Sequence, residues 1–298
     1  MNGPRKGELL TEAVKQGTIV NLDHLEEIAL LCKAFTEQER TGIRVGIRVN
    51  FDLEKLCPGE TSVGNDIGRF GICYENGDVA RAIAMLRDSG IMIAGLHMHT
   101  STKSRSSKVF AELAKMVCKV AQEFQLDLEY VDMGGGYFGG QVVEGKPTMP
   151  EYAETICSIL KEQFVPQQTK LILEPGASVI ATSVEYRTKV DSVRDIRGVK
   201  VITLDGTALH INPFLFHRTP QYVLPERNTE CVQEQQICGC TCMENDRFFT
   251  LYNEKLLQVG DEIVFKNAGA YTMGFNSYFI VNPPVVYVLD TKQHIINV

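Results

Sequence analysis

The first 180 residues alternate short apolar segments with stretches of helical periodicity, and polar or glycine residues directly follow several of the apolar segments. This alternation is typical of parallel βα units, because a parallel strand needs a crossover connection to reach its neighbour. We predict strands at 18–23, 43–50, 93–97, 128–133 and 171–173, and helices at 78–88, 106–124 and 151–164. Strand ends form the ligand-binding edge of both a (β/α) barrel and a doubly wound sheet, so the alternation alone leaves both folds open.

The pattern changes after about residue 180, where β-branched segments replace the helical periodicity. Strands are predicted at 184–193, 199–205, 261–265 and 285–289, with one short helix at 269–277. We therefore expect two domains, a βα domain at 1–180 and a mostly β domain at 181–298. The short helix at 269–277 is expected to return to the ligand site of the first domain.

Composition excludes several classes of protein. The 298 residues carry a net charge of −7, from 30 basic and 37 acidic side chains, and the basic residues are scattered, which argues against nucleic-acid binding. No apolar run is long enough to span a bilayer, and no apolar core follows the basic residues at the start, so neither a membrane segment nor a signal peptide is predicted. Nine cysteines, an odd count, favour reduced thiols and a cytoplasmic protein.

Three predicted strand ends carry residues suited to chemistry. Gly134, Gly135 and Gly136 could bring backbone amides to a phosphate, although a tight turn would use the same residues. Glu174 follows the next strand, where a helix-capping or ion-paired carboxylate is the alternative. His97 and His99 share one face of a strand and could suit a metal, but no third ligand stands near them in the sequence.

The second half offers weaker signals. Cys238, Cys240 and Cys242 lack the Cys-x-x-Cys spacing of zinc sites, so no metal is predicted for this protein. Tyr271 stands at the start of the predicted short helix, where a hydroxyl and amide groups could bind phosphate.

Taken in order, these motifs resemble those of one family, the pyridoxal-phosphate-dependent decarboxylases of ornithine, diaminopimelate and arginine, which have the alanine-racemase-like fold. Arg69-Phe70-Gly71 also resembles the basic-Phe-Gly turn of that family. The resemblance implies a TIM-type (β/α) barrel followed by a mostly β domain, with pyridoxal 5′-phosphate as cofactor. It also implies an amino-acid substrate and a homodimer with shared active sites.

The resemblance implies a role for individual residues. His99 matches the histidine that stacks on the pyridine ring, and Glu174 matches the acid that pairs with the pyridine nitrogen. Cys242 matches the catalytic cysteine that returns a proton to the substrate from the other subunit. The cofactor contacts that it implies are His99, Thr102, Gly134, Gly135, Gly136, Glu174, Gly176, Ala177 and Tyr271.

Several positions depart from the family pattern. Ala177 stands where the family has a phosphate-binding arginine, for which Arg105 or Lys103 could substitute. Met243 stands where the family has an acid that reads the substrate, for which Glu244 could substitute. The expected substrate-binding residues are Phe216, His217, Arg218, Glu244 and Asp246.

The segment around these substrate positions differs most from the ornithine and diaminopimelate enzymes. Asn212, Phe216 and His217 replace the residues expected for plain ornithine, lysine or diaminopimelate. Because His217 and Arg218 could face a carboxylate, the resemblance points to a siderophore- or natural-product-associated branch.

The family's cofactor lysine lies in a Tyr-Ala-Val-Lys-like segment on the first barrel strand, and this sequence has no such segment. We count five of the eight barrel strands, so an N-terminally truncated barrel is expected. Lys6 is not expected to replace the lysine, and this chain alone is therefore predicted to be inactive. A regulatory homologue without the lysine is the alternative. A racemase is less favoured, because Glu174 stands where racemases commonly have arginine.

Overall fold

A computed structural model describes residues 1–4, 7–61, 67–140, 143–214, 219–290 and 295–296. The chain divides into two compact units, Met1–Ser178 and Val179–Val298. Among the described residues, no helix combines the length and the apolar character needed to cross a membrane.

The first unit alternates strands and helices, as the sequence predicts. Its strands are β1 (Asn21–Leu22), β2 (Arg44–Asn50), β3 (Ile72–Cys73), β4 (Met92–His97), β5 (Tyr130–Asp132) and β6 (Lys170–Ile172). Its helices are α1 (Glu8–Lys15), α2 (Leu25–Ala34), α3 (Glu37–Arg40), α4 (Leu53–Leu56), α5 (Asp78–Asp88), α6 (Ser107–Glu123) and α7 (Met149–Leu160), and a short helix, α8 (Ala177–Ile180), follows β6.

Five of these strands lie side by side in the order β1-β2-β4-β5-β6, and β3 pairs with the end of β2. Every pairing in this sheet is parallel. The five strands in line match the number expected from the sequence for an incomplete barrel. Because all strands run the same way, their carboxyl ends meet at one edge.

Helix signals in the sequence explain where the helices begin. Ser106 accepts a hydrogen bond from the Val109 amide at the start of α6. Thr148 and Glu151 form a reciprocal capping box at the start of α7, which holds Pro150 in its first turn. Both helices turn apolar faces towards the sheet, and these faces belong to one buried core with the strand side chains.

Tyr130 crosses the inner face of the sheet over two glycines. Its hydroxyl donates to Asn21 Oδ1 at 2.8 Å. A Cβ at Gly95 would overlap the Tyr130 ring, and a Cβ at Gly46 would overlap the hydroxyl and the Asn21 oxygen. Glycine on the two intervening strands therefore makes room for this bridge.

The second unit is mostly β. Its strands are β7 (Tyr186–Ile196), β8 (Val199–Leu204), β9 (Tyr222–Val223), β10 (Cys231–Cys238), β11 (Arg247–Lys255), β12 (Glu262–Phe265), β13 (Val288–Leu289) and β14 (Ile295–Ile296). Six of them form one sheet in the order β11-β10-β8-β7-β12-β9, and β13 pairs with β14. A separate core, which includes Ile202, Phe249 and Phe265, packs on the six-stranded sheet.

In this half one sequence expectation was wrong and another was confirmed only in part. The short helix predicted at 269–277 is only a 3-10 turn over Met273–Phe275, because Tyr271 has a positive φ that interrupts a helix. The strand predicted at 285–289 is shortened to Val288–Leu289. The long hairpin of β10 and β11 was not predicted, because the glutamine-rich Cys231–Cys238 segment lacks an apolar run.

We predict that Leu96→Ala lowers the free energy of unfolding by about 2–5 kcal/mol, because it leaves a cavity in the centre of the first core. Leu96 is 0% exposed on β4. Leu9→Ala is the matched control, since Leu9 is 58% exposed and should change the unfolding free energy by less than about 0.5 kcal/mol. Urea unfolding measures both, and similar losses in the two variants would contradict this core assignment.

Candidate functional site

Three charged or titratable side chains lie in one row at the carboxyl ends of neighbouring strands. The parallel register pairs Arg48 with His97 and His97 with Asp132. Side chains at paired positions of neighbouring strands point to the same side of a sheet. All three are buried, with exposures of 5%, 1% and 3%. A buried polar row of this kind requires partners, and the surrounding loops supply most of them.

Arg48 connects this row to two loops. Its Nη1 lies 3.6 Å from Asp23 Oδ1, and its Nη2 donates to the backbone oxygen of His99 at 3.1 Å. Asp23 follows β1 and is itself buried. The guanidinium therefore holds the segment after β4, which carries His99, against the end of β1.

The glycine turn after β5 packs directly on His99. A Cβ at Gly134, whose φ is +62°, would come within 2.5 Å of the His99 Cβ. The Gly135 amide donates to His99 Nδ1 at 3.0 Å. With Nδ1 as an acceptor, the proton of the neutral imidazole is assigned to Nε2. The turn thus fixes both the position and the tautomer of the His99 ring.

Glu174, which follows the next strand, packs on the same turn. We call His99, the Gly134–Gly135 turn and Glu174 together the cradle. The Glu174 backbone amide donates to the Gly134 oxygen at 2.8 Å, and a Cβ at Gly135 would overlap the Glu174 carbonyl oxygen. The side chain accepts a hydrogen bond from the Asn2 amide group. His99, the glycine turn and Glu174, which the sequence analysis singled out separately, are therefore brought together in the first unit.

Glu174 and Asp132 form a pair of neighbouring carboxyl groups. Burial and the negative charge of Asp132 raise the pKa of Glu174 to about 6, and burial also raises the pKa of Asp132. Asp132 accepts from the Gly134 amide at 2.9 Å and from the Asn21 side chain at 3.2 Å. A positive group placed beside Glu174 would stabilise its ionised form.

The two histidines of β4 and the following loop are held neutral. Their rings are parallel within 6°, with centroids 6.2 Å apart. Burial, followed by the positive charge of Arg48, lowers the pKa of His97 to about 3 and that of His99 to about 4. Neither ring nitrogen of His97 has a hydrogen-bond partner within the described part of the chain.

The remaining predicted cofactor residues of this unit lie in the same loops. Thr102 is half-buried and forms a bridge with Thr61. Gly136 and Gly176 both have positive φ, of +96° and +48°. Ala177 begins α8, so the side chain that the family places here is replaced by a methyl group.

Arg105, one of the two residues expected to substitute for the missing arginine, lies against the glycine segment. Its guanidinium carbon is 5.2 Å from the ring centre of Phe138, which follows that segment by two residues. Lys103 is exposed, and its backbone amide donates to Glu60 at 2.9 Å. This contact places Arg105 beside the glycine segment, and phosphate binding by Arg105 or Lys103 stays a prediction.

A cavity of about 520 Å³ opens beside His99 within the first unit. Two guanidinium groups reach it, and both stack on Phe70, with Arg48 4.7 Å and Arg69 3.9 Å from the ring centre. Asn50 and Ser101 add polar groups to its lining. The cavity is therefore suited to an anionic group.

In the second unit, the β10–β11 connection carries Cys242, Glu244 and Asp246. Cys242 and Glu244 are exposed, and Glu244 pairs with Arg247. Asp246 is buried, and its carboxylate accepts from the Ala208 amide at 2.8 Å and from the Thr241 hydroxyl at 2.6 Å. These contacts give Asp246 a structural role in shaping the loop, and the substrate-binding role predicted for it stays a prediction.

Other predicted residues remain predictions. Tyr271 is 65% exposed, and its ring lies 6.2 Å from that of Phe275 within the second unit. Phe216, His217 and Arg218 lie outside the described residues, as does Lys6.

Sequence reasoning missed Arg48 and Asp132 as site residues. Each is a charged residue with apolar neighbours on both sides in a predicted strand, in Ile47-Arg48-Val49 and Val131-Asp132-Met133. A charge in such a strand is a usable signal, because burying it without a partner is costly. That both lie beside His97 could not be predicted from the sequence, because it depends on the register between the strands.

We predict that the stability of the wild-type protein includes a contribution from neutral His99 that is lost as the pH falls from about 6.5 towards 4. The folded pKa lies below the unfolded one, so protons bind preferentially to the unfolded chain in this window. The free energy of unfolding, measured with urea, should be lower at pH 5 than at pH 7.5. We expect this decrease to be smaller in His99→Gln than in the wild type by more than about 1 kcal/mol. Equal losses in the two proteins would contradict the burial of a neutral His99.

Comparison with known proteins places the chain in a family. A model described as the pyridoxal-binding domain of pyridoxal-dependent decarboxylases matches residues 1–181. The diaminopimelate decarboxylase of Staphylococcus aureus is 26% identical over 285 residues, which cover 91% of this chain and 66% of the relative. The enzyme of the same name from Archaeoglobus fulgidus is 25% identical and covers 97% of this chain and 70% of the relative. The chain thus spans about two thirds of the length of these relatives.

Solved structures share the fold. Diaminopimelate decarboxylase from M. jannaschii in complex with L-lysine superposes with a TM-score of 0.73 at 23% identity, covering 90% of this chain and 63% of that one. Lysine decarboxylase from Selenomonas ruminantium gives 0.75 at 18% identity, covering 97% and 74%. The described sheet is therefore part of a TIM-type barrel followed by a mostly β domain, and the chain belongs to the family of pyridoxal-dependent decarboxylases.

Proposed function

We propose that this protein acts in the pyridoxal-phosphate-dependent decarboxylation of an amino acid, and that its first unit holds the cofactor. The observation that carries this proposal is the cradle in which Glu174, the Gly134–Gly135 turn and His99 interlock at neighbouring strand ends. The match of residues 1–181 to a pyridoxal-binding domain supports the same assignment.

The residues of the cradle fit pyridoxal phosphate. Gly136 has a φ of +96° and open space where a Cβ would lie, so its backbone amide can approach a phosphate oxygen, whereas the Gly134 and Gly135 amides already donate to Asp132 and His99. The neutral His99 ring offers a flat face for an aromatic ring. Glu174, whose pKa is raised to about 6, offers a carboxylate whose ionised form a protonated pyridine nitrogen would stabilise.

When bound, the cofactor withdraws electrons from the breaking bond between Cα and the carboxylate. The role that we propose for Glu174 is to hold a proton at the pyridine nitrogen. His99 would cover one ring face and exclude water from it. Cys242, which is exposed in the second unit, is the proposed proton donor to Cα from the other subunit of a homodimer.

We further propose a substrate that carries a second carboxylate. The two sequence relatives named above, from Staphylococcus aureus and Archaeoglobus fulgidus, are called diaminopimelate decarboxylases, a name that implies such a substrate. The cavity beside His99 supports this, because Arg48 and Arg69 both reach it. The changes at Asn212, His217 and Met243 distinguish the substrate from plain ornithine, lysine or diaminopimelate and favour a siderophore- or natural-product-type amino acid.

The relatives support an enzyme over the regulatory alternative, since all those named above are decarboxylases. Glu174 also disfavours a racemase, because a carboxylate keeps the pyridine nitrogen protonated and thus favours strong electron withdrawal.

We predict that Glu174→Gln weakens the binding of pyridoxine 5′-phosphate, which has no aldehyde and needs no lysine. Loss of a charge-assisted hydrogen bond should raise the dissociation constant by about 10- to 100-fold, measured by calorimetry. Glu129→Gln is the matched control, because Glu129 pairs with Arg44 on the surface away from the cradle. Equal affinities of the wild type and Glu174→Gln would contradict the proposed role.

This chain is predicted to bind the cofactor without attaching it covalently, because it lacks the Tyr-Ala-Val-Lys-like segment. After incubation with pyridoxal phosphate and borohydride, mass spectrometry should show no specifically modified lysine. Assays of carbon dioxide release from diamino acids and carboxylated amino acids should show no turnover. One specifically labelled lysine together with turnover would contradict this prediction.

A further inference from the structure

His97 is a buried imidazole without a partner. It is 1% exposed, and neither Nδ1 nor Nε2 has a hydrogen-bond partner among the residues that the structure describes. Buried polar atoms are almost always paired, and leaving one unpaired costs free energy comparable to a lost hydrogen bond. We therefore infer that a ring nitrogen of His97 binds a further group.

Two carboxylates face the same space as His97. One ligand atom from each of His97, Asp132 and Glu174 lies within 4.8 Å of the other two. His97 Nε2 is 4.0 Å from Glu174 Oε1, which is too long for a hydrogen bond. Metal–ligand bonds of about 2.0–2.2 Å place neighbouring ligand atoms closer than this, so small side-chain rotations would bring the three onto one ion.

We propose that His97, Asp132 and Glu174 form a binding site for a divalent transition-metal ion. One imidazole and two carboxylates are ligands that ions such as Mn²⁺ accept. The sequence alone predicts no metal here, because no third ligand stands near His97 and His99 along the chain. The fold supplies two carboxylates in place of His99, from Asp132 at the end of β5 and from Glu174 just after β6, so this reason against a metal no longer holds.

The groups around the carboxylates support this assignment. Asp132 accepts from the Gly134 amide and from Asn21, and Glu174 accepts from Asn2. Such outer hydrogen bonds orient metal-binding carboxylates and leave further lone pairs available. His97 and Asp132 are 1% and 3% exposed, which limits competition from water on their side of the site, whereas Glu174 is half-buried.

The metal site and the cofactor site share Glu174. A metal ion and a protonated pyridine nitrogen are both cations, so the same carboxylate can serve only one of them at a time. The metal inference nevertheless does not rest on the proposed function, because metal binding is measured without cofactor and cofactor binding is measured without metal.

The test is titration of the metal-stripped chain with Mn²⁺, followed by electron paramagnetic resonance of the free ion. Mn²⁺ is chosen because the nine cysteines prefer softer ions. We expect one bound Mn²⁺ per chain and at least about tenfold weaker binding in both His97→Gln and Glu174→Gln. His210→Gln is the matched control, since His210 is also buried with an unpartnered Nε2 but lies in the second unit, and it should bind as the wild type does.

Circular dichroism and thermal melting establish that each variant is folded. Glu174 is only half-buried, so Glu174→Gln decides the question if His97→Gln fails to fold. The inference is overturned if the wild type binds no Mn²⁺, or if either folded variant binds it with wild-type affinity. It is equally overturned if His210→Gln weakens binding as much as Glu174→Gln does.

Discussion

The parallel register that aligns Arg48, His97 and Asp132 is the constraint on which the rest of the site depends. Burying polar side chains at the same level of adjacent strands is costly without partners, and the loops beyond the strands supply partners for two of these three. Those partners are Asp23 and the His99 carbonyl for Arg48, and the glycine turn for Asp132. The need to give these buried side chains hydrogen-bond and ion-pair partners therefore fixes the loops that carry the candidate site.

The glycines after β5 allow the loops of the cradle to pack closely. Gly134 and Gly135 allow the turn after β5 to pack against His99 and the Glu174 backbone, where any side chain would overlap a neighbour. A phosphate-binding turn and a tightly packed turn were alternative interpretations of these residues in the sequence. The structure shows the packing for Gly134 and Gly135, whose amides donate to Asp132 and His99, and it leaves phosphate binding to Gly136, where a Cβ would meet no neighbour.

Much of the first unit could be predicted from the sequence, because apolar segments alternate with well-capped helices at 107–123 and 149–160. The individual strand-end residues His99, Gly134 and Glu174 were also identified. The roles of Arg48 and Asp132 could not be, since they depend on register between strands. In the second unit, the β10–β11 hairpin was not predicted, because polar residues alternate along Cys231–Cys238. Asp246 matches a family motif, and in the structure its carboxylate accepts hydrogen bonds from the Ala208 amide and the Thr241 hydroxyl.

The carboxyl pair explains why this strand edge should attract a cation. Glu174, with a pKa of about 6, is largely ionised at neutral pH beside Asp132. Arg48 is a nearby positive charge that stabilises the two carboxylates, but its guanidinium is already directed to Asp23 and to the His99 backbone. Ala177 adds no charge where the family has an arginine. The edge therefore retains negative charge that a pyridine proton or a metal ion would neutralise, and which of the two does so depends on whether the aromatic ring is held against His99.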